Sequence, residues 1–74
     1  MEGMLIVMIT FEYIKDLIKD KELPLAGVNE DGENVIVEWS AQYGAYRVTT
    51  IQHNDWLRIN HYYKDGTIEE TYSK

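Results

Sequence analysis

The sequence predicts an α+β fold in which one N-terminal amphipathic helix packs on a four-stranded antiparallel β-meander. Two observations lead to this class. Apolar residues recur at helical spacing within residues 10–21, and from residue 34 onward they alternate with the period of two that is typical of strands. The 74 residues include no cysteine, so a single domain over residues 10–74 must be held together by packing without disulfides.

Residues 1–9 precede this domain as an N-terminal extension or an additional edge strand. Within them, residues 4–9 form an apolar run of six residues, Met-Leu-Ile-Val-Met-Ile. Such a run is far shorter than the roughly 20 residues that span a bilayer, and it lacks the basic flank of a signal peptide. We therefore expect no membrane association and, by default, a cytoplasmic protein. Three alternatives are open for the run: it adds a fifth strand at a sheet edge, it pairs with another chain, or it is disordered.

Residues 10–21 predict the helix. Thr10 suits the N-cap position, because its hydroxyl can accept a hydrogen bond from a free backbone N–H of the first turn. Pro24 ends the helix, since the residue before a proline is pushed out of the α region. Residues 22–33, with two glycines and several acids, predict a solvated loop. The apolar side chains that share one helical face are Phe11, Ile14, Leu17 and Ile18.

Four strands are predicted at residues 34–39, 45–53, 56–64 and 67–73, which are rich in Val, Ile, Thr, Tyr and Trp. The first connection is a loop at residues 41–44. The other two are two-residue turns, one at Asn54 and Asp55 and one at Asp65 and Gly66. Consecutive strands joined by such short connections form an antiparallel meander.

The turns determine which residues face each other. A four-residue loop places Trp39 opposite Tyr46 in the first hairpin. The two-residue turns place Val48 opposite His61, and His61 opposite Glu70. A rival register with a G1 bulge at the last turn would put Glu69 opposite His61 instead. We prefer the first register because it pairs apolar side chains with apolar ones.

In this register one face of the sheet is apolar and receives the helix, while the other is polar. The apolar face carries Val35, Val37, Trp39, Tyr46, Val48, Leu57, Ile59, Tyr63, Ile68 and Tyr72. The opposite face alternates in charge and carries Ile36, Glu38, Arg47, Thr49, Ile51, Arg58, Asn60, Tyr62, Glu69, Thr71 and Ser73. A polar outer face is usual for an antiparallel sheet that packs on one side only.

His61 and Glu70 form a candidate buried polar pair. A buried imidazole oriented by a carboxylate is how general bases are held, so a minimal enzyme that uses this pair is one alternative function. No nucleophile or second acid accompanies the pair, and buried polar groups usually pair for mutual satisfaction. We therefore interpret it as structural and predict no catalytic residues and no enzymatic activity.

The polar face also carries a candidate partner-binding patch. Trp56 and Tyr62 are large aromatic residues that would be exposed there, and exposed large aromatics are uncommon without a reason. Aromatic residues and arginine are the types enriched at interface hot spots. The full predicted patch comprises Trp56, Arg58, Tyr62, Arg47, Ile51 and His53.

Several classes of ligand are disfavoured by composition. The net charge of −6, from 13 acidic and 7 basic residues, opposes binding to nucleic-acid phosphates. His53 and Asp55 are too few for a metal site, and no glycine-rich pattern predicts a phosphate or nucleotide cofactor. We therefore expect a small interaction or regulatory protein that binds another protein, or itself, through the exposed sheet face. The second alternative is an acidic inhibitor that imitates nucleic acid.

Overall fold

The computed structural model describes residues 9–74. Within them lie one α-helix and a five-stranded antiparallel sheet, in which the strands are ordered as they follow along the chain. The elements are α1 (Phe11–Ile18), β1 (Leu25–Val28), β2 (Asn34–Ser40), β3 (Ala45–Ile51), β4 (Leu57–Tyr63) and β5 (Ile68–Ser73). The α+β class is confirmed, with five strands instead of four. The prediction of an extension or edge strand in residues 1–9 lies outside the described residues except for Ile9, which belongs to no strand.

Helix α1 is shorter than predicted but is capped as predicted. The Thr10 hydroxyl accepts a hydrogen bond from the backbone N–H of Tyr13 at 3.2 Å. The helix ends at Ile18, and the Lys21 N–H closes a turn onto the Ile18 carbonyl at 2.9 Å. Three of the four predicted stripe residues are buried, whereas Leu17 is 54% exposed. In the described part of the chain, no helix is long and apolar enough to cross a membrane.

Strand β1 occupies a segment that the sequence predicts as loop. It pairs with β2 so that Leu25 lies opposite Val37 and Val28 opposite Asn34. The sequence does not indicate this strand, because Pro24 before it and the acidic turn after it are both typical of loops. The turn between β1 and β2 is stabilised by the Asn29 side chain, whose Oδ1 accepts hydrogen bonds from the N–H groups of Asp31 at 3.0 Å and Glu33 at 2.9 Å.

The same turn geometry occurs at three hairpins. Each is a type I turn followed by one residue in the left-handed region, which makes a G1-type bulge. The left-handed residues are Gly32 (φ 79°), Asp55 (φ 72°) and Gly66 (φ 92°). In the last turn, for example, the Gly66 N–H donates to the Tyr63 carbonyl at 3.1 Å. This turn needs one left-handed residue, whereas a two-residue turn of type I′, the common form for the predicted loop length, needs two.

The bulged turns shift two of the three predicted registers by one residue. The β2–β3 register is confirmed, with Trp39 opposite Tyr46. The β3–β4 prediction is wrong, because His61 lies opposite Arg47 and not Val48. The β4–β5 prediction is also wrong, because Glu69 lies opposite His61, as in the rival register.

The two shifts invert β4 and leave β5 on its predicted face. A shift of one residue exchanges the two faces of a strand, so the second shift cancels the first for β5. In β4, Tyr62 therefore packs against α1, while Leu57, Ile59, His61 and Tyr63 lie on the other side of the sheet. The polar residues Arg58 and Asn60 lie on the α1 side, contrary to prediction.

The core lies between α1 and the sheet. At its centre Ile14 and Ile18 contact Tyr62, and the partly buried side chains around them are Leu23, Leu25, Val37, Tyr46 and Val48. At the start of the helix, the Phe11 ring lies 4.8 Å from the Tyr46 ring and 6.3 Å from the Trp39 ring, centroid to centroid. Eight residues make a helix only about 12 Å long. The helix therefore covers one part of its side of the sheet and leaves the rest of that side uncovered.

Candidate functional site

The open face is the face of the sheet opposite α1. Its side chains follow from the strand registers, because the residues that contact α1 alternate with those that point away. No helix of residues 9–74 packs on it. The open face comprises Ala26, Val28, Asn34, Ile36, Glu38, Ser40, Ala45, Arg47, Thr49, Ile51, Leu57, Ile59, His61, Tyr63, Glu69, Thr71 and Ser73.

One half of the open face is mainly apolar. Across the strands, Ile51 lies opposite Leu57, and Thr49 lies between Ile36 and Ile59. Val28, at the end of β1, continues this half and is 66% exposed. Leu57 and Ile59 belong to this apolar half only because β4 is inverted relative to the prediction. In the predicted register, the polar residues Arg58 and Asn60 would point outward in their place. We call Ile36, Ile51, Leu57 and Ile59 the apolar patch.

The other half of the open face carries a row of ionisable residues. Glu38 lies opposite Arg47, Arg47 opposite His61, and His61 opposite Glu69. The row places one cation and one neutral imidazole between two carboxylates. It runs across four strands directly beside the apolar patch, so this face combines apolar contact with charges of both signs.

His61 is held as a neutral ring in this row. It is only 6% exposed, and the Arg47 Nε–H donates a hydrogen bond to its Nε2 at 3.1 Å. A guanidinium has no acceptor, so Nε2 must be the unprotonated nitrogen and the proton resides on Nδ1. The Tyr43 ring stacks on the imidazole at 4.4 Å with a 5° angle between the planes.

Ser40 joins this cluster from the end of β2. Its hydroxyl oxygen accepts hydrogen bonds from Arg47 Nη2 and from the Tyr43 N–H, each at 3.3 Å. Loop 41–44 is thereby folded so that Tyr43 covers His61. The sequence offers a weak signal for this arrangement, because Ser40 sits where a β-turn favours a side-chain acceptor. The stacking of Tyr43 on a histidine 18 positions away has no local signal.

Tyr63 and Glu69 form a hydrogen-bonded pair at one end of the row. The Tyr63 hydroxyl donates to Glu69 Oε1 at 2.5 Å. This hydrogen bond, followed by partial desolvation and the nearby negative charge, raises the pKa of Tyr63 to about 12. Burial lowers the pKa of His61, the Arg47 charge lowers it further, and Glu69 opposes them. Both rings are therefore neutral near pH 7.

His61 makes folding stability depend on pH in a defined window. Its pKa is lower in the folded protein than the usual 6.5, so the unfolded chain binds the proton first as pH falls. This contribution to stability is fully present above about pH 6.5 and is lost progressively below it, toward the folded-state pKa. We expect the urea concentration at the unfolding midpoint to decrease when the pH is lowered from 7.5 to 5.5. Both pH values lie above the range in which carboxylates ordinarily titrate.

A histidine substitution separates this effect from other titrations. His61→Gln should flatten the stability profile between pH 5.5 and 7.5, whereas the matched variant His53→Gln should retain it. The titration of His61, followed by its imidazole NMR signals, should show a midpoint below 6.5. A midpoint above 6.5, or an equal flattening in both variants, would contradict a neutral His61 held by Arg47.

The predicted pair of His61 and Glu70 is not formed. Glu70 lies on the α1 side of β5, where its Oε1 accepts from Asn60 Nδ2 at 2.9 Å and its Oε2 accepts from the Tyr72 hydroxyl at 3.1 Å. These two hydrogen bonds lower the pKa of Glu70. The residue that lies opposite His61 is Glu69, and the direct partner of the imidazole is Arg47.

The predicted partner-binding patch is divided between the two sides of the sheet. Arg47 and Ile51 lie on the open face, as predicted. Arg58 and Tyr62 lie on the α1 side, and Tyr62 is only 9% exposed. The prediction that they share the polar face with Arg47 is therefore wrong, because the bulged turn at Asp55 inverts β4.

The remaining two patch residues lie at the β3–β4 turn. His53 connects this turn to the β1–β2 turn, with its Nε2 2.9 Å from the Asp31 carbonyl and its N–H donating to Glu33 at 3.3 Å. These contacts give His53 a structural role. Trp56 is 38% exposed, and the Lys74 ammonium lies 5.8 Å from the centre of its ring.

A concave surface lies on the α1 side of the sheet. It is a groove of 680 Å³ between α1, β1 and the part of the sheet that the helix leaves open. Its walls are apolar, but Thr50, Arg58 and Asn60 also line it. Two of the predicted patch residues, Arg58 and Tyr62, therefore belong to this groove.

Neither surface carries a recognisable metal centre. Across residues 9–74, no group of three or more His, Cys, Asp or Glu side chains is placed to hold an ion. Comparisons with protein-family models, with curated proteins and with solved structures found no match to this chain.

Proposed function

We propose that this protein is a small interaction module that binds another protein through its open face. The observation that carries the proposal is the apolar patch, which no helix of residues 9–74 covers. An antiparallel sheet with one packed face normally presents polar residues on the other. Here Leu57 and Ile59 point outward while Arg58 and Asn60 point inward, which is the reverse of the usual arrangement.

The chemistry of the open face indicates the kind of partner. The apolar patch would be buried first, since removing apolar surface from water is the main driving force of association. The adjacent row contains Glu38 and Glu69 but only one permanent cation, Arg47, and the chain as a whole carries −6. Basic residues around an apolar surface on the partner would therefore speed the encounter and fix the orientation.

The ionisable row gives this face a rigid border. Arg47, His61 and Tyr43 hold one another by a hydrogen bond at 3.1 Å and a ring stack at 4.4 Å. A side chain that is already ordered loses less entropy when a partner binds. The apolar patch thus lies beside a preformed polar edge, as in the centre and rim of many interfaces.

The alternatives receive no specific support from this geometry. The minimal-enzyme alternative requires His61 and Glu70 to act as a pair, but these two residues lie on opposite faces of the sheet. The acidic-inhibitor alternative requires one dense acidic surface, whereas the row on the open face interleaves its two carboxylates with Arg47 and His61. Cytoplasmic location remains a prediction from the sequence.

The test compares the same substitution on the two faces of the sheet. A double variant, Ile51→Thr with Ile59→Thr, removes apolar surface from the open face while keeping β-branched residues that suit strands. Ile68→Thr is the matched control, because Ile68 is an exposed residue on the α1 side of β5. Affinity capture from the native host's lysate is followed by mass spectrometry and by Kd measurement with the purified partner.

We expect the wild type and Ile68→Thr to retain the same partner and the double variant to bind it at least tenfold more weakly. Equal retention by all three proteins would contradict the proposal. Light scattering over a range of protein concentrations tests the competing case. A dimer that is lost only in the double variant would make a second copy of this chain, and not another protein, the occupant of the open face.

A further inference from the structure

The groove on the α1 side has the size and lining of a small-molecule site. Its volume of 680 Å³ falls within the range of about 300–1,000 Å³ that is usual for ligand pockets. Helix residues Ile14, Leu17 and Ile18 form one wall, and Leu25 and Val35 belong to the opposite side. Such walls would accommodate an aliphatic chain and exclude water from it.

Two polar side chains interrupt this apolar lining side by side. Thr50 and Arg58 lie directly opposite each other on β3 and β4, and both line the groove. Thr50 is only 3% exposed, and among residues 9–74 its hydroxyl has no hydrogen-bond partner. A buried hydroxyl without a partner is costly, by about 1–3 kcal/mol, so such groups usually have a protein, water or ligand partner.

Arg58 is likewise without a direct partner among these residues. The two carboxylates close enough to interact with its charge are Glu33 and Glu70. Glu33 accepts hydrogen bonds from Asn29 at 3.0 Å and from the His53 N–H at 3.3 Å. Glu70 accepts from Asn60 and Tyr72. Within residues 9–74, the planar guanidinium therefore has donors that can hydrogen-bond a planar anion in the groove.

We propose that this groove binds an amphipathic carboxylate, with its aliphatic tail against α1 and its carboxylate between Arg58 and Thr50. A carboxylate matches the bidentate geometry of a guanidinium and accepts a further hydrogen bond from a hydroxyl. It would supply a partner to both groups at once, neither of which has a direct hydrogen-bond partner within residues 9–74. The groove and the open face lie on opposite sides of the sheet, so this site is independent of the proposed partner-binding function.

The experiment titrates the full chain with decanoate and, separately, with the uncharged 1-decanol, using calorimetry and amide NMR shifts. We expect saturable one-to-one binding of decanoate, with shifts at groove residues such as Leu25 and Val48. Decanol should bind more weakly. Arg58→Gln should weaken decanoate binding about tenfold and bring it level with decanol. Arg58→Lys, which keeps the charge, should restore part of the affinity.

Two further variants make the test specific. Thr50→Val keeps the side-chain shape and should weaken decanoate binding about threefold without weakening decanol. Lys64→Gln removes an exposed positive charge at the β4–β5 turn, outside the groove, and should leave decanoate binding unchanged. The proposal is overturned by an absence of saturable binding to the folded wild type. It is also overturned by equal affinity for decanoate and decanol, or by equal losses in Arg58→Gln and Lys64→Gln.

Discussion

Replacement of Tyr62 by alanine is expected to lower the free energy of unfolding by about 3–5 kcal/mol, the range for truncation of a buried aromatic side chain. The Tyr62 ring contacts Ile14 and Ile18 at the centre of the core and is only 9% exposed. A domain of this size has a total stability of about 4–11 kcal/mol. The variant would therefore be partly or largely unfolded, which urea titration followed by far-ultraviolet circular dichroism would show.

Trp56→Ala is the matched control for this substitution. The sequence places both aromatic residues on the same outer face, whereas in the structure Trp56 is 38% exposed and Tyr62 is in the core. We expect Trp56→Ala to cost about 1 kcal/mol or less, as surface substitutions usually do. Similar losses for the two variants would contradict the inverted orientation of β4. The comparison thus tests the register directly, before any partner is known.

Replacement of Phe11 by alanine is expected to cost about 3–5 kcal/mol and to detach the start of α1 from the sheet. Phe11 is 6% exposed and packs against the rings of Trp39 and Tyr46, which also contact each other at a centroid distance of 5.0 Å. Tilted and edge-on aromatic pairs of this kind add about 0.5–1.5 kcal/mol beyond the burial of area. Urea unfolding measures the loss, and hydrogen exchange should show faster exchange throughout α1 than in the central strands.

Leu17→Ala is the control within the same helix. The helical spacing assigns Leu17 to the buried stripe together with Phe11, but its side chain is 54% exposed. Alanine also has a helix propensity at least as high as that of leucine, so we expect a change within about 0.5–1 kcal/mol. A loss as large as that of Phe11→Ala would mean that α1 is rotated relative to the arrangement described above.

The helix and the β2–β3 hairpin could be predicted from local patterns. Thr10 before an apolar stripe marks the start of α1, and the observed N-cap hydrogen bond is the interaction that this position favours. In the hairpin, alternation along both strands and a four-residue loop place Trp39 opposite Tyr46, as observed. Here the pattern and the turn chemistry agree, so one register is clearly favoured.

Strand β1 and the β4 register could not be predicted in the same way. Leu25–Val28 is short and contains a glycine, and it becomes a strand only by pairing with β2. At the β3–β4 turn, Asn54 and Asp55 both tolerate left-handed backbone, so a two-residue turn and a bulged turn are both open to the sequence. The bulged form uses a single left-handed residue, Asp55.

The candidate sites depend on this one turn. The sequence predicts site residues that include Arg47, Arg58, Tyr62 and His61. Which of them are neighbours depends on the face of the sheet to which each β4 side chain points. In the observed register Arg47 contacts His61, and Arg58 lies in the groove beside Thr50. Tyr43 joins His61 through the fold of loop 41–44, which no spacing in the sequence indicates.

Local sequence patterns are sufficient to predict the α+β class, the position of the helix, four of the five strands and the faces of β2, β3 and β5. The face of β4 depends on tertiary packing, and with it the assignment of residues to the core, the open face and the groove. The physical reason is that side chains in a strand alternate with a period of two, so one bulged residue exchanges both faces at once. Local turn preferences leave that choice open, and packing of Tyr62 against Ile14 and Ile18 distinguishes the observed register.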